Sequence, residues 1–213
     1  GVLVTFEGGE GSGKSCQIEA VYRLLRRKRV PVLKTREPGG TPLAEKIRKL
    51  LVVSGSEPVE PSTELLLYAA ARAQHMARVI QPALKKGKVV LCDRFTDATM
   101  AYQGYARGVP IPLVERCEQM ATGGLKPDLT FLLDCPVTVG LKRAKKRLQK
   151  GKGRKEDRFE REAIAFHEKV RNGYLKIARS PKNRKRFELI DTRLPPKVVF
   201  EKILSGLKKH EIL

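Results

Sequence analysis

The apolar run Val2-Leu3-Val4-Thr5-Phe6 leads into Gly8-Gly9-Glu10-Gly11-Ser12-Gly13-Lys14-Ser15, and helical periodicity follows at once. Strand, glycine-rich loop and helix in that order, with the spacing G-x-x-x-x-G-K-S, constrain the fold more than any other feature of the chain. A loop that wraps phosphate oxygens must turn its backbone N–H groups inward, and residues without a Cβ tolerate the positive φ angles this needs. Gly8, Gly11 and Gly13 supply that freedom, and Gly9, Glu10, Ser12 and Cys16 complete the segment expected around ATP. Lys14 would set a point charge on the β- and γ-phosphates, and the Ser15 hydroxyl suits a Mg²⁺ that bridges them.

The 213 residues are enough for one full core and are read as a single domain, 1–213. The longest apolar run, Leu65 to Ala71, is too short to span a bilayer, so no membrane segment is expected. The first residues already form the strand before the loop, so no secretory leader is expected there. Cys16, Cys92, Cys117 and Cys135 are widely spaced and read as reduced thiols, which points to the cytoplasm. His75, His167 and His210 share no ligand spacing with one another or with the cysteines.

Charge is the unusual property, at +21. Residues 141–186 hold 19 Lys or Arg against 5 Asp or Glu, about two thirds of the excess. Such a surplus suits a nucleic acid, a membrane surface or a phosphate-rich substrate. The stretch has helical periodicity, few aromatics and no nucleic-acid module, so a solvated flank that attracts phosphates is the preferred reading.

Further along, short apolar runs alternate with helical patterns. Strands are expected at 30–33, 88–92, 129–133 and 187–190, and helices around 43–51, 62–84, 95–105, 113–121, 137–148, 163–177 and 196–207. With the first strand this gives a five-stranded parallel sheet with helices on both faces, an α/β fold of the P-loop type. Right-handed crossovers bring all strand C-terminal ends to one edge, where ligands bind. Asp93 ends the third strand. It reads as the carboxylate that holds Mg²⁺ in P-loop enzymes, or as a helix cap, and the loop upstream favours the metal.

The segments Phe6-Glu7-Gly8-Gly9-Glu10-Gly11-Ser12-Gly13-Lys14-Ser15, Thr35-Arg36-Glu37-Pro38-Gly39-Gly40-Thr41, Cys92-Asp93-Arg94-Phe95, Ala101-Tyr102-Gln103-Gly104 and Asp157-Arg158-Phe159-Glu160 together resemble the thymidylate kinase family, in order and across nearly the whole chain. The resemblance implies a nucleoside monophosphate kinase that takes ATP and dTMP, uses Mg²⁺ and forms a homodimer, through helices near 62–84 and 95–105. Tyr68 stands where the family has an aromatic against the thymine ring. Arg72, one turn on, would donate to the base carbonyl O4. Gln103 would pair with the base edge, with Thr99 beside it, and Tyr102 would lie under the sugar and exclude a 2′-hydroxyl. Arg36, Arg48 and Arg94 would clamp the dTMP phosphate beside Glu37 and Pro38. Glu10 would touch the 3′-hydroxyl or a metal-bound water, and Arg143 with Asp191-Thr192-Arg193 would lie near adenine.

The phosphate loop carries Ser12 where eukaryotic relatives place an Arg, so the arrangement resembles the bacterial one, with a basic lid at about 147–160. Arg158 is the first candidate for the γ-phosphate contact and Arg154 the second. The chain departs from the family at Cys16 for Thr, Ala98 for Ser and Tyr68 for Phe, and the lid is longer. Two other classes stay open on the residues alone. A kinase for another nucleoside monophosphate should lack the Tyr68/Arg72 and Tyr102/Gln103 constellation, and a nucleic-acid-stimulated ATPase should bind with steep salt dependence.

Overall fold

The computed structural model describes residues 1–213 with the exception of 54, 56 and 150–157; for 147–149 only the backbone is described. Five strands, β1 (Val2–Glu7), β2 (Val32–Arg36), β3 (Val89–Asp93), β4 (Leu129–Asp134) and β5 (Phe187–Asp191), form one sheet in the order β2-β3-β1-β4-β5. Every pairing is parallel. The central strand β1 therefore delivers the phosphate loop to the middle of the C-terminal edge, flanked by the ends of β3 and β4.

Alternation sorts β1 between two cores. Val4 and Phe6 face a cluster with Ile18, Val21 and Leu25 of α1 (Lys14–Arg27) and Ile203 and Leu207 of α9 (Pro196–Lys209). Leu3 faces the other side, where Met76, Ile80, Val90, Cys92 and Phe95 pack. Both layers are buried, as an all-parallel sheet requires. Thr5 is polar in a central strand, and it is satisfied by a 2.8 Å hydroxyl pair with Thr130 on β4.

On the second face α2 (Pro42–Val52), α3 (Pro61–His75) and α6 (Ile111–Thr122) lie side by side, and α8 (Ile164–Arg179) packs on the segment 100–106. Thr41 caps α2 by accepting from the Ala44 N–H at 3.1 Å. Two of the expected helices run unbroken but change type along their length. The 62–84 pattern is divided into α3, a π-helical turn Met76–Ile80 and α4 (Gln81–Lys85). The 95–105 pattern becomes the short α5 (Thr96–Thr99) and a π-helical segment Met100–Ala106. One added residue per turn rotates the side chains that follow, and such turns concentrate at functional sites. Strand β2 also sits later than the apolar run 30–33 predicts. Backbone pairing with β3 carries it through Lys34, Thr35 and Arg36, whose polar side chains are tolerated because β2 is an edge strand.

α6 shows a further difference. Of the apolar residues that mark it, Leu113 and Met120 are exposed, while Val114, Cys117, Ala121 and the charged Glu118 face inward. The remaining helix, α7 (Val137–Gln149), starts just after β4 and meets the phosphate loop.

Candidate active site

The loop after β1 takes the backbone form its glycines allow: φ is 140° at Gly8, 69° at Gly11 and 90° at Gly13. Space is as restrictive as angle. A Cβ on Gly11 would come within 1.9 Å of the Gly140 carbonyl on α7, and one on Gly140 within 2.3 Å of the Glu10 carbonyl. At Gly9 and Gly13, by contrast, nothing lies within 4 Å of an added Cβ. The loop is thus wedged from behind and open in front.

Lys14 folds over this loop and donates to the carbonyls of Gly8 at 2.9 Å and Gly9 at 3.0 Å. Burial, with Arg94 adding to it, brings its ammonium down to about 8. Ser15 Oγ donates to Asp93 Oδ2 at 3.1 Å, which joins the start of α1 to the end of β3. Two hard oxygen donors facing one another at a phosphate loop fit Mg²⁺, which takes a carboxylate and a hydroxyl beside substrate oxygens.

Next to the loop lies a cavity of about 670 Å³, including the part open to solvent. Glu10, Glu37, Pro38, Arg48, Tyr68, Arg72, Arg94, Thr99, Tyr102 and Gln103 all line it, drawn from separated segments of the chain. Arg94, in a left-handed conformation with φ 69°, turns off β3 into the cavity edge. It donates to Glu10 Oε1 at 2.7 Å and to the Tyr174 hydroxyl at 3.1 Å, and lies 4.9 Å over the Tyr102 ring. Tyr102 in turn donates to Glu10 Oε1 at 3.0 Å. Burial works against the Glu10 charge, yet Arg94 and Lys14 outweigh it and hold the carboxyl down at about 2. Glu10 is an anion at any working pH.

Arg72 is only 2 % exposed and is spanned by acceptors. Nε donates to Glu37 at 2.6 Å, Nη1 to Thr99 at 2.9 Å and to Glu118, and Nη2 to the Phe95 carbonyl at 3.0 Å. Glu37 also meets His75 Nδ1 at 3.0 Å, and His75 Nε2 meets the Thr35 hydroxyl at 2.7 Å. Gly40 is required here, because a Cβ would stand 2.4 Å from the His75 ring. Glu37, His75 and Cys92 form a buried cluster with ligand atoms within 4.8 Å of one another, a grouping that their sequence spacing does not show. Each already has hydrogen-bond partners, with the Cys92 thiol donating to the Arg94 carbonyl at 3.1 Å.

Several expected residues lie elsewhere. Arg36 pairs with Glu45 at 3.0 Å and does not line the cavity, because its strand position at the sheet edge points it to the first turns of α2. Arg48, on α2, donates to the Pro38 carbonyl at 3.0 Å. Arg158 is not at the phosphate loop: it donates to the Leu51 carbonyl at 2.8 Å and to Glu64, at the far wall of the cavity. Glu64 is fully buried and also accepts from Gln103 at 2.6 Å and from Arg107 at 3.3 Å, so a buried carboxylate in that wall gathers two arginines to itself. Arg154 lies outside the described residues. Arg143 donates to the Thr192 carbonyl at 3.1 Å, so it and the 191–193 segment do come together; Arg193 itself pairs with Asp191.

Glu7, Glu64, Glu118 and Tyr174 were not singled out by sequence reasoning. Glu7 is buried at the end of β1, accepting from the Phe95 N–H at 2.7 Å and the Tyr174 hydroxyl at 2.8 Å; burial and then Asp97 push its carboxyl up to about 8. A signal existed for Glu64 and Glu118, since each interrupts an apolar helix stripe at a core-facing position.

A five-stranded parallel sheet that places a glycine loop, Lys14, Ser15 and Asp93 on its central C-terminal edge is a P-loop fold with a nucleotide-phosphate site. Comparison narrows the class. The thymidylate kinase family model matches residues 6–203. Thymidylate kinase of Geotalea daltonii is 55% identical over 192 residues, 90% of this chain and 89% of that protein, and that of Geobacter sulfurreducens is 52% identical over 191 residues, with 90% and 89% covered. The crystal structure of thymidylate kinase from Ehrlichia chaffeensis superposes with a TM-score of 0.75 at 31% identity, over 97% of this chain and 98% of that one. The chain belongs to the thymidylate kinase family.

Proposed function

We propose that this chain, as one domain spanning 1–213, transfers the γ-phosphoryl group of ATP to dTMP. A phosphate oxygen of dTMP attacks the γ-phosphorus in line, the bond from that phosphorus to the bridging oxygen breaks, and its electron pair leaves with ADP, giving dTDP. The acceptor oxygen is already ionised at neutral pH, so no strong base is needed and positioning with charge neutralisation carries the reaction. The observation that supports this most is the convergence of Tyr68, Arg72, Thr99, Tyr102 and Gln103 on one cavity beside the phosphate loop.

Each residue has a part in this reading. Lys14 leaves the Gly8 and Gly9 carbonyls to hold the β- and γ-phosphates. Ser15 and Asp93 would hold Mg²⁺, which would supply neutralisation of charge on the transferred group. Arg94 and Arg48 take the dTMP phosphate, while Glu10 orients Arg94 and Tyr102 and accepts from the sugar. Tyr68 stacks on thymine, Arg72 and Gln103 donate to or pair with its edge, and Arg143 borders adenine. Arg158 meets Glu64 at the cavity wall, and by resemblance it and Arg154, in that order, are the candidates to reach the γ-phosphate.

A homodimer is the preferred assembly. Of the helices expected to form it, the 95–105 segment buries Ala101, Tyr102, Gln103 and Gly104 and leaves only Met100 and Tyr105 partly exposed among its large apolar side chains. Leu43 and Leu50 on α2, Leu66 on α3, and Leu113 and Met120 on α6 are exposed instead, on three helices that pack side by side. The seven-residue spacing within α2 and within α6 puts each pair on one helix face. No helix among the described residues is long and apolar enough to cross a membrane. The reading places the enzyme in the cytoplasm, with nucleotides rather than nucleic acid as its partners.

ADP release from Mg²⁺-ATP with dTMP, dUMP, dCMP, AMP and the ribose form of TMP as acceptors tests the activity. dTMP should be far the best and dUMP weak, since one methyl is worth about 1–3 kcal/mol. Absence of stimulation by dTMP, or a better rival acceptor, would refute the specificity and leave only a P-loop kinase.

A further inference from the structure

Glu118 does not line the acceptor cavity, yet it grips the guanidinium that does. Its carboxylate comes from α6, behind the wall, and takes one Nη1 hydrogen of Arg72; Thr99 takes the other. Glu37 takes the Nε hydrogen and the Phe95 carbonyl one of the two on Nη2. A guanidinium has five N–H donors in a fixed plane. The contacts among described residues therefore leave a single Nη2 hydrogen, on a side chain that borders the cavity.

Such a group is costly to build. Two carboxylates and one guanidinium are buried together, with His75 sharing Glu37; burial pushes the Glu118 carboxyl up, and among the described residues its Oε2 has no hydrogen-bond partner. Stability alone does not account for the second carboxylate, because a buried ion pair seldom outperforms apolar packing of the same volume. What the second carboxylate does add is orientation. Glu37 holds one edge of the fork, and Glu118, the only charged partner beyond it among the described residues, joins Thr99 and the Phe95 carbonyl in holding the rest, so the plane of Arg72 is kept from turning about its Nε.

We infer that Glu118 is a positioning residue for acceptor specificity: it locks Arg72 so that its one remaining donor meets a carbonyl at position 4 of the pyrimidine and rejects an amine there. The inference rests on the acceptor assignment above and deepens it. A cytosine-type acceptor presents N–H at that position, so it faces donor against donor unless Arg72 turns away. With Glu118 in place the turn is blocked.

The test is steady-state kinetics of Glu118→Ala, Glu118→Asp and Glu118→Gln with dTMP, dUMP and dCMP, alongside the melting temperature of each protein. Glu118→Ala should raise KM for dTMP about 10-fold or more with kcat within about 3-fold, and lower the dTMP-to-dCMP ratio of kcat/KM about 10-fold or more. The dTMP-to-dUMP ratio, which reads the 5-methyl contact, should not move. Glu118→Gln, which keeps an acceptor at Nη1, should restore most of the carbonyl preference. A folded Glu118→Ala protein with an unchanged dTMP-to-dCMP ratio overturns the inference, as would a uniform loss with all three acceptors. If the alanine variant does not fold, Glu118→Asp, which withdraws the carboxylate by one methylene, must lower the same ratio, and an unchanged ratio overturns the inference equally. Arg72→Lys separates the two levels. If it leaves the ratio intact, the acceptor assignment itself fails; if it abolishes the preference and the Glu118 variants do not, only the role of Glu118 fails.

Discussion

In the phosphate loop, backbone geometry makes the site: positive φ at Gly8, Gly11 and Gly13, and a carbonyl of α7 pressed against Gly11. In the acceptor cavity, built from segments distant in sequence but adjacent in space, side chains make it, and charged ones are buried to do so. Arg72 is held by Glu37 and Glu118, and Glu64 by Gln103, Arg107 and Arg158. The difference teaches where each half is fragile. A phosphate is bound by whatever chain can expose N–H groups, so the loop tolerates only changes that keep residue size and torsion at its glycines. A base is recognised by directed donors, so the cavity depends on groups that hold other groups still.

The largest effect expected is at Lys14. Lys14→Met should lower kcat by at least about 10²–10³-fold, as removal of a preorganised charge at a developing anion does, with little change in folding; a rate within 10-fold of the parent would break the donor-side account. Chemical denaturation of Arg72→Met should show a loss of about 3–5 kcal/mol, because two buried carboxylates lose their cation. A near-neutral result would mean that the cluster rearranges freely and that the cavity is less rigid than the loop.

Gly11→Ala comes next. The left-handed torsion alone costs about 1–2 kcal/mol, and the 1.9 Å approach to the Gly140 carbonyl adds to it. Melting temperature and the KM for ATP should both worsen while the KM for dTMP holds. The smallest effect is a slope. Glu7, with its carboxyl pushed up to about 8, holds a proton in the folded chain that the unfolded chain releases near its ordinary 4.5. Its contribution is therefore complete at low pH and fades as pH rises from the unfolded value through about 8. Glu7→Gln should flatten that part of a stability-against-pH curve, and a slope that is unchanged would show that Glu7 is ionised in the fold.

Much of the site was legible because its residues sit in short contiguous motifs. Asp93 follows an apolar strand and Lys14 a glycine loop, so local pattern places both. The partners of Arg72 and Arg158 were not legible, since Glu118 lies 46 residues from the one and Glu64 lies 94 from the other. Arg158 was expected over the phosphates and is found on Glu64; a motif names a residue type but not which of two anions will claim it.

By itself the sequence determined the alternation of strands and helices, the parallel sheet and the phosphate loop, because each follows from periodicity or torsion within a few residues. Only the tertiary structure decided the rest. It turned the chain after Thr99 and His75 into π-helical segments, exposed Leu113 and Met120 while burying Glu118, and joined distant carboxylates to the arginines of the cavity. Burial and charge pairing depend on what lies opposite across the fold, and that is a property of the packed whole.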